Sequence, residues 1–308
     1  MAQANSGNEN EKSVEGVTKG APSATRFFSI PGPIRSLFDK VPIILYPPNR
    51  LPSGPSRYSQ NPTLFVFTTA TDAIAGRPSF NPSCLKWQTF LRMAGIQHEL
   101  QPSNNHASPS GALPFILPGA HDDVSSQGER EPVVANKILK YAKEYGCVHE
   151  ELKSVRKEAY LSLIDYRVRD AWLYFLYLEP SNFDRVAYPR YVSPVSSNLL
   201  VRSSISRQLQ AAAESELLKH SSIIDVNDLY SEADKAFEAL STLLGDNMWF
   251  FGKDKPTVFD ASVFAYSHLL LDENMGWVEE KLCRVIKTRQ NLVQHRLRIL
   301  SQYYSDKN

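Results

Sequence analysis

The stretch TVFDASVFAYSHLLL, residues 257–271, is apolar nearly all the way round a helix. A helix of that kind cannot lie on a surface. It must be enclosed by other elements, and so marks the middle of a core. Its first residues carry a start signal. Thr257 can accept a hydrogen bond from a backbone N–H near residue 260, and Asp260 can reach back to the amide of Thr257, the reciprocal arrangement of a capping box. An aspartate there also meets the positive end of the helix dipole. The surrounding sequence supplies the enclosing shell. Leu152, Val155, Ala159, Leu163 and Tyr166 fall on one stripe of a helix that can run to Leu178, before Pro180. Further helices are expected at 199–220, at 231–244 with Ser231 as N-cap and Gly245 as stop, at 276–288 and at 291–304.

The first half changes period. TLFVFTT at 63–69 reads as a strand buried on both faces. NPSCLKWQTFLRMAGI at 81–96 reads as a helix, with Pro82 in the first turn, Cys84, Trp87, Leu91 and Ala94 on one stripe, and Gly95 as stop. Strands are expected around IQHELQ (96–101) and ALPFILP (112–118), and a second amphipathic helix over VVANKILKYAKEYG (133–146). A fourth strand is not evident; the polar segment HDDVSSQGERE, 121–131, occupies its place. The order strand, helix, strand, loop, strand, helix is the skeleton of a thioredoxin-like half-domain. The expected organisation is therefore a disordered tail at 1–25, a proline-rich arm at 26–62, a thioredoxin-like domain at 63–148 and an all-helical domain at 149–308. The arm carries Phe27, Phe28, Ile30 and Phe38 among its prolines, so residues 26–50 are expected to be a docking arm and not a loose tail, with those side chains packed either back on the chain's own domain or against a partner.

The charge balance excludes some classes of function. The formal net charge is +1, without the basic excess of a nucleic-acid-binding chain. Three widely spaced cysteines, Cys84, Cys147 and Cys283, argue against a disulfide framework or a cysteine-rich zinc site. The histidines, His98, His106, His121, His149, His220, His268 and His295, show no metal-ligand spacing, so no metal is assigned. His268 lies within the apolar helix and reads as a core histidine. No apolar run approaches the ~20 residues needed to span a bilayer. The N-terminus, with Glu9, Glu11 and Glu15, resembles neither a secretory signal nor a transit peptide. Any membrane association is expected through a partner or the surface. Arg202, Arg207 and Lys219, around the helix at 199–220, are candidates for touching anionic lipid or an acidic partner, against the plainer reading of a solvated face.

A thioredoxin-like half followed by a helical half resembles the glutathione transferases. Leu113-Pro114, ahead of the third strand, resembles the position where that fold family carries a cis-proline that presents backbone groups to a ligand. Thr257-Val-Phe-Asp260 resembles the family's capping box. Two segments narrow the resemblance to the metaxins. NPSCLKWQTFLRMAGI is similar to the metaxin first-helix segment, and WFFGKDKPTVFDASVFAYSHLL at 249–270 to the metaxin signature of the second half. Most similar is the smaller metaxin-like subunit of the fungal mitochondrial sorting and assembly machinery. The resemblance implies a non-enzymatic, peripheral subunit on the cytosolic face of the mitochondrial outer membrane. Its partners would be an outer-membrane β-barrel insertase, a second metaxin-like subunit and the targeting signal of β-barrel precursors. Pro114, Thr257 and Asp260 would then be structural, and Phe27, Phe28, Ile30, Phe38, Arg202 and Arg207 would touch partners.

The alternative is a divergent glutathione transferase acting on small electrophiles. Cys84 is its sharpest candidate, because a helix N-terminus in this fold can lower a thiol pKa. Against that, Trp87 stands where a second cysteine would, and a free cysteine packs well as a small hydrophobe. The acidic-serine pair that would hold a γ-glutamyl group is missing; Ser125 and Ser126 lead into Gln127 and Gly128. Thr68 and Thr69 could mimic a catalytic hydroxyl but read as strand residues. No catalytic residue and no cofactor is assigned.

Overall fold

The computed structural model describes residues 59–119, 131–148, 155–219 and 221–305. The expected tail, the arm up to residue 58 with Phe27, Phe28, Ile30 and Phe38, most of the 121–131 segment and the junction at 149 lie outside the described residues.

Four strands make one sheet in the order β2-β1-β3-β4: β1 (Thr63–Val66), β2 (Glu99–Pro102), β3 (Phe115–Leu117) and β4 (Val133–Val134). β1 and β2 are parallel, whereas β1–β3 and β3–β4 are antiparallel. Parallel neighbours need a crossover. It is provided by α1 (Ala70–Ile74) and α2 (Pro82–Met93). Phe65 and Phe115, paired across β1 and β3, stack with centroids 4.4 Å apart. α3 (Ile138–Tyr145) buries Ile138, Tyr141 and Ala142. The fourth strand sits within the expected helix at 133–146. Val133 and Val134 are β-branched and extend the sheet, and the helix proper starts only at Ile138. A two-residue strand is too short to show a period.

The helical half opens with a continuous helical run from 155 to 178. It consists of α4 (Val155–Ser162), a π-helical stretch Leu163–Val168, α5 (Arg169–Leu173) and a second π-helical stretch Tyr174–Leu178. These wide turns overturn the expected stripe. Each π turn takes an extra residue and rotates the next turns of the helix. Ile164, Val168, Ala171, Trp172, Phe175 and Leu176 face the core and Tyr166 is half-exposed; of the rest of the expected stripe, Leu163 packs against the core, while Val155 and Ala159, which precede the wide turns, are exposed. The short α6 (Pro180–Asn182) leads into a π-helical Phe183–Val192. Then follow α7 (Leu199–Leu217), α8 (Val226–Leu244), α9 (Val258–Leu271), α10 (Lys281–Lys287) and α11 (Gln290–Tyr303). α8 starts earlier than Ser231. Asp225 caps it, accepting from the amides of Asn227 and Asp228. Gly245, at φ +53°, ends it.

α9 is buried on almost every side, with only Tyr266 and Leu271 partly exposed. One of its neighbours is α2, which joins the two halves. Leu85 of α2 packs into the helical core, while Cys84, Phe90 and Leu91 pack into the sheet core together with Val258 and Ala261 of α9. At the far end of α2, the Thr89 hydroxyl meets the Tyr304 hydroxyl at 2.8 Å, and Arg92 donates to the Tyr303 carbonyl at 2.6 Å. This is the glutathione-transferase-like arrangement of a thioredoxin-like half followed by a helical half.

Candidate functional site

A cleft of about 490 Å³ lies where β1 and β2 end. The segment just after β1 brings Phe67, Thr68 and Thr69, the connection to α2 brings Phe80, β2 brings Pro102, the π-helical stretch before α7 brings Arg190 and Tyr191, and the turn that follows it brings Val195. Phe67, Phe80 and Tyr191 form its aromatic wall: Tyr191 meets Phe67 and Phe80 edge to face with centroids 5.1 and 5.3 Å apart, and the two phenylalanines are tilted against each other at 6.4 Å. The Tyr191 hydroxyl donates to the Phe80 carbonyl at 3.3 Å, which fixes the ring against the segment leading into α2.

Cys84 is not among the residues lining this cleft. The start of α2 is ordered by Asn81, whose side chain accepts from the Cys84 amide at 3.2 Å, with Pro82 in the first turn. That places Cys84 at a helix N-terminus but fully buried. Burial pushes the thiol up to about 12, against a smaller opposite pull from hydrogen bonding with the Phe67 backbone and Ser79. Desolvation wins over the dipole here, and the thiol is protonated at neutral pH. The tyrosines beside it are no readier to ionise. Burial takes Tyr177 up to about 12 and Tyr191 well above its ordinary value.

Of the other candidate groups, Thr69 and the Leu113 amide are committed elsewhere, and the Thr68 hydroxyl is not. Thr69 is the N-cap of α1: it accepts from the Asp72 amide at 3.1 Å and donates to the Asp72 carboxylate at 2.7 Å. The Thr68 hydroxyl is buried without a partner among the described residues. The Leu113–Pro114 bond is cis and Pro114 is buried. The Leu113 amide, the backbone donor that such a turn could offer a ligand, donates to Asn105 Oδ1 at 3.0 Å. Asn105 is held by a short turn, Asn105–Ala107, that Asn104 caps.

The remaining expected residues lie apart from the cleft or at its edge. Thr257 caps α9, accepting from the Phe259 amide at 3.2 Å, and Asp260 accepts from the Thr257 amide at 2.8 Å. Arg202 is turned inward to the carbonyls of Ser193 and Ser196, tying the turn before α7 to the helix. Arg207 is exposed on α7. No group of three or more metal-ligating side chains occurs among the described residues, and no described helix is long and apolar enough to cross a membrane. Sequence reasoning missed Asn81, Tyr177 and Tyr191. The two tyrosines carry no local signal, because an aromatic in a helix reads as core. Asn81 before Pro82 is an N-cap signature and could have been found.

The model of the glutathione S-transferase N-terminal domain matches residues 82–182, and that of the C-terminal domain matches residues 233–299. Human Metaxin-2 is 26% identical over 235 residues, covering 74% of this chain and 84% of that protein. Metaxin-3 of Xenopus laevis is 27% identical over 241 residues, covering 74% of each. Among solved structures, glutaredoxin 2 from Salmonella typhimurium in complex with glutathione aligns at 15% identity with a TM-score of 0.48, covering 80% of this chain and 97% of that one.

Proposed function

Because this chain is a homologue of the metaxins on a glutathione-transferase-like fold, we propose that it is a non-enzymatic, cytosol-facing subunit of the mitochondrial outer-membrane sorting and assembly machinery. In this reading it helps to receive β-barrel precursors and pass them to a membrane-embedded insertase, alongside a second metaxin-like subunit. The nearest fit is the smaller metaxin-like subunit of that machinery. It reaches the membrane peripherally, through its partners. One observation carries the reading: at the place where this fold would do thiol chemistry, Cys84 is sealed and protonated. The occupied Leu113 amide supports it. A scaffold needs the fold and its surface, but not a reactive centre.

The cleft of about 490 Å³ at the strand ends favours a second reading, a divergent glutathione transferase. The two separate cleanly. Isolation of the tagged chain from mitochondria in mild detergent, followed by mass spectrometry, should recover an outer-membrane β-barrel protein and a second metaxin. Retention on glutathione resin, with turnover of a general electrophile and no such partners, would establish the transferase instead. In the assembly reading, residues 26–50 form the docking arm through Phe27, Phe28, Ile30 and Phe38. Removing residues 1–50 should then leave the melting behaviour intact and reduce the recovered partners. A chain that keeps both would exclude the arm.

A further inference from the structure

We propose that the start of α7 is a site of direct contact with an anionic lipid surface, beyond any attachment through partners. The reasoning begins with an exposure that folding does not explain. Leu199 and Leu200 are 73% and 81% exposed, and Val195 and Val201 are 53% and 42% exposed. Leu199, Leu200 and Val201 are consecutive at the tip of a helix whose own buried residues, Ala213 and Leu217, lie near its other end, and Val195 stands in the turn just before it. The tip is fixed in place. Asn198 caps it, accepting from the Leu200 amide at 2.9 Å, and Arg202 fastens the turn containing Val195 through the carbonyls of Ser193 and Ser196. The leucines are therefore presented by an ordered element.

Charge selects the occupant. From Arg185 to Ala213 the sequence contains Arg185, Arg190, Arg202 and Arg207 and no aspartate or glutamate. Arg190 lies in the field of Asp272 and Asp72, so its charge is offset. Arg207 stands two helical turns after Leu200, on the same outward face, and is exposed. Exposed aliphatics with a cation two turns along the same helix face, and no acidic residue in that stretch, suit the boundary between acyl chains and acidic headgroups. A protein partner fits less well. A stable protein interface buries ~800 Å² on each side and is anchored by aromatic side chains. The tip offers four aliphatic residues and no aromatic one.

The test is flotation of the purified full-length chain with vesicles. One set is phosphatidylcholine alone; the other contains about one-fifth phosphatidylserine, for which each nearby cation strengthens binding. The chain should float with the anionic set, and less so with the neutral set or at high salt. Leu199→Ser with Leu200→Ser should lower the bound fraction roughly tenfold or more. Arg207→Gln should lower it roughly fivefold. Leu297→Ser, at an exposed leucine of α11, should leave it unchanged. An unchanged melting temperature would show that the α7 variants are folded. Failure of the wild-type chain to float, or flotation that survives loss of both leucines, overturns the proposal. So does a tip variant that loses a protein partner while the wild-type chain binds no vesicle, since the tip is then a protein contact. Flotation without any co-isolated insertase would sink the assembly reading and leave this one standing.

Discussion

Asp260 accepts a hydrogen bond from Nε2 of His295 at 3.0 Å, with both side chains fully buried. The same carboxylate accepts from the amides of Phe250 at 3.0 Å and Thr257 at 2.8 Å, and from the Thr257 hydroxyl at 3.0 Å. One side chain thus joins the start of α9, the turn Phe250–Gly252 and α11. Asp260 does more than a capping residue needs to do.

That difference can be measured. Thr257→Ala removes the cap alone and should cost about 1 kcal/mol. Asp260→Ala also strands His295 and two buried amides, and should cost several-fold more, at about 1–3 kcal/mol for each buried donor left unpaired. Denaturant unfolding of the purified chain checks both values. Equal costs would mean that the contacts with Phe250 and His295 contribute nothing.

The thiols should separate into two classes. Cys147 is exposed, whereas Cys84 and Cys283 are buried, with burial raising each to about 12. A thiol reagent at neutral pH should titrate one cysteine quickly and the other two only in denaturant. Rapid modification of Cys84 in the native chain would contradict the sealed site.

Stability should fall on mild acidification, partly through His268. Burial and the nearby Arg296 push its imidazole down to about 4, while Asp272 pulls the other way. Its Nδ1 accepts from Arg296 Nε at 3.2 Å, a bond that only the neutral ring can make there. In the unfolded chain the ring takes a proton near pH 6.5. The unfolded state therefore binds more protons below that pH. The stabilisation is complete above about 6.5, falls as the pH drops towards about 4, and levels off below. At pH 5.5 the loss from this residue should be about 1 kcal/mol. His268→Asn should flatten that part of the curve, as read by melting temperature between pH 7.5 and 5; an unaltered slope would refute the assignment.

The fold class was legible because it rests on signals carried by many residues. The change from strand to helix periods and the all-round apolarity of 257–271 are visible without knowing any contact. The register of the run from 155 to 178 was not, because a 3.6-residue period cannot anticipate two π-helical stretches. Nor was the strand Val133–Val134. At the cleft, the wall depends on residues far apart in sequence: Tyr191 reaches the Phe80 carbonyl across 111 positions. Asn182 shows the same limit. It is fully buried, donates to the carbonyls of Phe175 and Glu279, and accepts from the amides of Val278 and Glu279. Nothing in the sequence around Pro180 marks it. The four-residue span from Thr257 to Asp260 suggests a cap; it cannot reveal His295.

The most direct test is the assembly of a radiolabelled β-barrel precursor in mitochondria depleted of this chain and then resupplied with either the wild type or Cys84→Ser. Assembly into the mature membrane form should fall on depletion and be restored equally by both proteins, because the role proposed uses the fold and not the thiol. Normal assembly in the depleted organelles, together with a glutathione conjugation activity lost in Cys84→Ser, would contradict it.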